Sequence, residues 1–94
     1  MSSSEDEKGI LAVLMDRFES QRLPRALALK ARVDQGECLD EFDLAFMHEL
    51  LSDSLQAMPM LERHPEFEQL AGKVASLYRE IAETALANEQ KAAG

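Results

Sequence analysis

Phe67, Leu70, Val74, Leu77, Ile81 and Ala85 recur at alternating steps of three and four residues, and this stripe constrains the chain more than any other feature. Apolar positions on one face with Glu68, Lys73, Arg79, Glu80 and Glu83 opposite describe a helix packed on one side and wet on the other. Ala71, Tyr78 and Ala82 flank the stripe. Pro65 opens the segment, because a proline in the first turn of a helix gives up an N–H that has no partner there. The tail from Asn88 to Gly94 is expected to fray, as are residues 1–4.

The remaining segments carry the same period, with almost no alternation of apolar and polar residues that would mark strands. Ser4 and Glu7 have the spacing of a capping box, and Ile10, Leu11, Leu14, Met15 and Phe18 fall on one face, which predicts a first helix over 5–22. Gly9 inside it costs about 1 kcal/mol relative to alanine. Pro24 and Gly36 suit the start and the end of a short second helix over 24–35, in which Leu27 and Ala31 face away from Leu29 and Val33. Asp40 is a good N-cap for a third helix, with Leu39 and Leu44 placed as a hydrophobic staple. Its apolar positions, from Phe42 to Met58, cover about 220° of the circumference and leave Glu41, His48, Glu49, Ser52 and Gln56 as a polar strip. Pro59 should stop or kink this helix, with one further turn before His64.

The expected fold is all-α: a single domain over residues 1–94, forming a compact up-and-down bundle of four helices with the second one short. Its expected core is Leu14, Phe18, Leu27, Phe46, Leu50, Leu51, Leu55, Leu70, Val74, Leu77 and Ile81.

Charge narrows the function classes. Eighteen acids against ten Lys and Arg give a formal net charge of −8, which repels nucleic-acid phosphates and anionic membrane surfaces. The longest apolar run, Ile10 to Met15, is far short of the roughly 18 residues of a membrane span. The acidic stretch Ser2 to Glu7 is unlike a secretory leader, so a cytoplasmic protein is expected. Cys38 has no cysteine partner and reads as a small loop hydrophobe.

The charges are also sorted along the chain. Residues 21–33 carry Arg22, Arg25, Lys30 and Arg32 and no acid, whereas residues 34–54 carry seven acids and no Lys or Arg. Two readings follow. Opposite charge helps the second helix pack on the third, or Arg22, Arg25 and Arg32 on one side and Asp40, Glu41, His48, Glu49 and Asp53 on the other form a surface that steers a complementary partner.

Catalytic and metal motifs are scarce. His48 lacks a second ligand at the three- or four-residue spacing of helical metal sites, and Glu49, Leu50 and Leu51 after it supply no cation for phosphotransfer. Met58, Met60 and His64 have donors suited to cuprous copper, although methionines at a bend also serve to fill irregular gaps. No Gly-rich phosphate loop and no Ser-His-Asp or Cys-His set is visible, so neither enzyme activity nor a cofactor is expected.

The stretch Phe46-Met47-His48-Glu49-Leu50-Leu51-Ser52-Asp53-Ser54-Leu55 resembles the prosthetic-serine region of acyl carrier proteins, in which an aromatic, acids and a leucine precede Asp-Ser-Leu. The resemblance covers ten residues and implies a phosphopantetheine arm on Ser54 at the start of a helix. Leu51 stands where that family has a glycine, and the amphipathic pattern instead places Ser54 within the apolar arc of one continuous helix. The leading expectation is an adaptor or regulator that binds another protein or forms a homodimer. A carrier with its arm on Ser54, and a bundle binding a small ligand or metal, are the alternatives.

Overall fold

A computed structural model describes the backbone of residues 3–93 and the side chains of residues 5–93. The described secondary structure is all helical and forms three rods. The first joins α1 (Ser3–Arg17), a π turn (Phe18–Arg22) and α2 (Leu23–Asp34) without a break. The second is α3 (Glu41–Arg63), and the third is a 3-10 turn (Pro65–Phe67) running into α4 (Glu68–Ala93). They pack into an extended body of 58 × 20 × 19 Å.

The expected four compact helices are thus corrected to three longer ones, because Pro24 does not separate two helices. In α-helical register Pro24 would leave the Ser20 carbonyl without a donor and crowd it. The π turn absorbs the mismatch: Leu23 N–H donates to the Phe18 carbonyl, five residues back, and Pro24 falls in the first turn of the renewed α-helix. The wider turn also resets the phase. Phe18 and Ala26, eight residues apart, would lie about 80° apart on an α-helix, and absorbing one residue reduces this to about 20°. Phe18, Ala26, Leu29 and Val33 therefore share the buried face. Leu27, expected in the core, is 50% exposed.

Gly36, at φ +97°, ends the first rod in a conformation glycine tolerates without strain. The Gly36 N–H donates to Val33 O (3.0 Å) and the Glu37 N–H to Arg32 O (3.2 Å), the paired bonds of a Schellman motif. Asp40 caps α3 as expected and does so reciprocally: its carboxylate accepts from Asp43 N–H (2.8 Å), and the Asp43 carboxylate accepts from Asp40 N–H (3.1 Å). Leu44, expected to staple this end, is largely exposed. Pro59 neither stops α3 nor separates a further turn, and the helix runs through to Arg63. Pro59 and Leu55 both lie on the exposed side, where water can serve the carbonyl that Pro59 leaves without a donor.

The core lies where α2 meets α4. Ala26, Leu29 and Val33 pack with Ile81 and Ala85, and Phe46, Met47 and Leu50 of α3 close the cluster. Along the third rod the stripe grades from half-buried (Phe67, Leu70, Val74, Leu77) to buried (Ile81, Ala85) and continues to Asn88. Asn88 donates through Nδ2 to Val33 O and Glu37 O, both at 2.8 Å, tying α4 to the end of α2. The tail expected to fray from Asn88 is therefore anchored and helical to Ala93, whereas residues 1, 2 and 94 lie outside the described residues. Of the expected core, Phe18, Phe46, Leu50 and Ile81 are buried and Leu14 is half-buried. Leu51 and Leu55, at 39% and 55% exposure, join Leu27 as corrections, because α3 is covered on one flank only.

At the opposite end Leu11 anchors α1, fully buried, and α1 also makes polar contacts. The Ser4 side chain lies outside the described residues, and Glu7, its expected capping partner, instead takes both ends of the Arg63 guanidinium. Lys8 pairs with Glu66 at 3.6 Å. His64 caps this corner from within, 3% exposed, with Nε2 3.4 Å from Glu7 Oε1 and Nδ1 3.6 Å from Glu66 Oε1.

Candidate functional site

The sorted charges of the sequence meet each other in the fold. Arg22 pairs with Asp53, and Arg32 grips Asp43 with two parallel bonds (Nη1 to Oδ1 3.1 Å, Nη2 to Oδ2 2.9 Å) while its Nε reaches Glu37 at 3.5 Å. Arg25 lies 4.5 Å over the Phe46 ring and donates to Phe42 O at 3.5 Å. All three arginines of the candidate surface thus seam the first rod to α3. Asp43 was missed in the sequence, where it passed for one more acid of the run. The Arg32 guanidinium holds its carboxyl below the usual carboxylate range, opposed by burial and helped by the Asp40 N–H.

On the acidic side, Asp40 serves as the cap and Asp53 as the partner of Arg22. Glu41, His48 and Glu49 are exposed and take part in no ion pair among the described residues. Glu41 and His48 border an apolar stripe. At 100° per residue, Leu44, Leu51, Leu55 and Met58 fall within about 60° of the α3 circumference, with Glu62 in the same line. Each of these four apolar residues is substantially exposed, which leaves one flank of α3 unpartnered over four turns.

An open cavity of about 660 Å³ adjoins the second half of α3, and its lining includes Leu51, Leu55 and Met58 of the exposed stripe. Its walls come from Leu14, Met15 and Phe18 on the first rod, from α3 between Leu50 and Leu61, and from Ala71, Val74, Ala75 and Tyr78 on α4. Arg17, Arg22 and Asp53 are among its lining residues. The expected gap-filling role of the methionines is realised in part: Met60 is half-buried and Met58 exposed, and both line this space.

Ser54 sits in mid-helix, half-buried, its hydroxyl donating to Leu50 O at 2.8 Å, and does not begin a helix as the carrier resemblance implies. No group of three or more His, Cys, Asp or Glu among the described residues could hold a metal ion, and no described helix is long and apolar enough to cross a membrane. Comparison with known proteins finds no matching family, no similar curated protein and no similar solved structure.

Proposed function

We propose that the chain acts by binding and not by catalysis, as a small cytoplasmic adaptor or regulator that docks an amphipathic helix of another protein along the open flank of α3. The observation that carries this reading is the exposed stripe Leu44, Leu51, Leu55 and Met58, whose steps of seven, four and three match the apolar seam of a helix lying alongside. Met58 suits such a surface, being flexible enough to adapt to different side chains. Glu41 beside the stripe and Glu62 in line with it select a partner helix with Lys or Arg on its flanks. A second copy is the weaker occupant, because each copy brings a net charge of −8.

The test is fluorescence anisotropy with a synthetic helical peptide of heptad-spaced leucines flanked by lysines, against a scrambled peptide of the same composition. The ordered peptide should bind, weaken by roughly tenfold or more when Leu51 and Leu55 are both changed to Asp, and weaken further in salt or with Glu41→Lys. Equal binding of the scrambled peptide, or indifference to the Leu51 and Leu55 changes, would overturn the reading. So would sedimentation equilibrium showing a tight homodimer that buries the stripe.

A further inference from the structure

We propose that α1 is a hinged arm, which swings off α3 as one unit about the π turn while α2, α3 and α4 stay folded, and which the Glu7–Arg63 and Lys8–Glu66 pairs latch shut. This goes beyond partner docking and does not rest on it.

The hinge comes first. The first rod changes neighbours at the π turn: α1 lies against α3, whereas α2 lies against α4. The hydrogen-bond ladder of the rod is interrupted at the same place. Leu23 N–H reaches back five residues to the Phe18 carbonyl, and Pro24 after it has no N–H to donate. Sharp bends in helices fall at prolines and at π turns, and here the two adjoin. The turn itself is pinned to the body, Phe18 by burial in the core and Arg22 by its pair with Asp53. Motion of α1 therefore leaves α2 in place.

The arm is also lightly held. Among the described side chains of α1 only Leu11 is buried, while Leu14 and Met15 are half-buried and Ile10 and Val13 are exposed. By contrast, α2 sets Ala26, Leu29 and Val33 into the core. A segment with few buried apolar contacts opens at a lower free energy than one fixed in the core. Near the free end of α1 the Arg63 guanidinium donates from Nε to Glu7 Oε1 at 2.8 Å, and Lys8 lies 3.6 Å from Glu66. Each pair has at least one largely exposed partner, so the two act as a weak latch beside the apolar hold of Leu11. Leu14 and Met15 belong to the cavity wall and leave with the arm, so the position of α1 sets how wide that space opens.

Native-state hydrogen exchange of the full chain, under conditions where closing outpaces exchange, tests the arm. Amides of residues 8–17 should share one opening constant, separated by a step at the π turn from the slower amides of residues 26–34 on the same rod. Arg63→Gln releases the latch and should speed residues 8–17 about two- to fivefold. Leu11→Ala should speed them roughly tenfold or more. Both changes should leave residues 26–34 and 78–88 as they were. Arg63→Gln, at an exposed position, keeps the test open should the Leu11 variant fold poorly. Overturning results are a graded rise in exchange toward the N-terminus with no step at the π turn, one opening constant shared by α1 and α2, one shared by α1 and residues 51–63, or indifference to both changes.

Discussion

The two ends of this molecule are built from the same residue types and packed to opposite effect. Where α2 meets α4, Ala26, Leu29, Val33, Ile81 and Ala85 are all at most 5% exposed, and Asn88 closes the end with two bonds to α2-side carbonyls. Where α1, the second half of α3 and the first half of α4 meet, Leu11 is fully buried, but Leu14, Met15, Leu61 and Val74 are only half-buried around a cavity. Size explains the contrast. Ala26 and Ala85 let α2 and α4 approach closely, whereas the larger Leu14, Met15 and Leu61 line the cavity at the other end. Close packing is therefore concentrated at one end while the other keeps an open space, a division expected of regions that differ in local stability.

The sharpest way to break this comparison is a matched pair of truncations. Ile81→Ala should cost about 2–5 kcal/mol, and Leu55→Ala within about 0.5 kcal/mol, read as shifts in the urea midpoint at unchanged m-value. Equal losses would remove the distinction between the ends. Asn88→Ala removes both donors at the closed end and should cost roughly 1–3 kcal/mol, with amides near Glu37 losing exchange protection. Asp40→Ala deletes the α3 cap and should cost about 1 kcal/mol in the same titration.

The smallest effect, read end by end, is that of pH. The Asp43 carboxyl is held low chiefly by Arg32, and the Glu7 carboxyl chiefly by Arg63 with His64 adding to it, burial opposing in both. A carboxyl lowered in the folded state contributes stability that is complete above its unfolded pKa and is lost as pH falls through the folded value. Both ends should therefore loosen in acid and neither on mild alkalinisation. Glu7→Gln should flatten the acid dependence of exchange in α1, and Asp43→Asn that of the α2–α3 junction. Acid dependence at the α1 end that survives Glu7→Gln would show that its polar clasp is not the Glu7 carboxylate.

Much of the closed end was legible in the sequence, because local signals and tertiary packing agree there. The α4 stripe, Gly36 and the Asp40 cap each have one physical meaning, and the fold honours it. Pro24 and Pro59 misled because a proline specifies only what its own turn cannot do. A π turn or an exposed carbonyl satisfies that requirement without ending the helix. Leu51 and Leu55 misled for another reason: periodicity shows that an apolar face exists but not whether the chain supplies a cover for it. Asn88, Asp43 and His64 were unreadable as buried groups, since the carbonyls and charges that satisfy or surround them come from distant segments. For the candidate site, only the fold shows that the arginines are engaged and that Glu41, His48 and Glu49 take part in no ion pair among the described residues.

Native-state hydrogen exchange, followed amide by amide, tests the division between the ends most directly. Amides of residues 26–34 and 78–88 should exchange only through global unfolding. Those of residues 5–17 and 51–63 should exchange at least about tenfold faster, through partial opening. Uniform protection along all three rods would contradict the account.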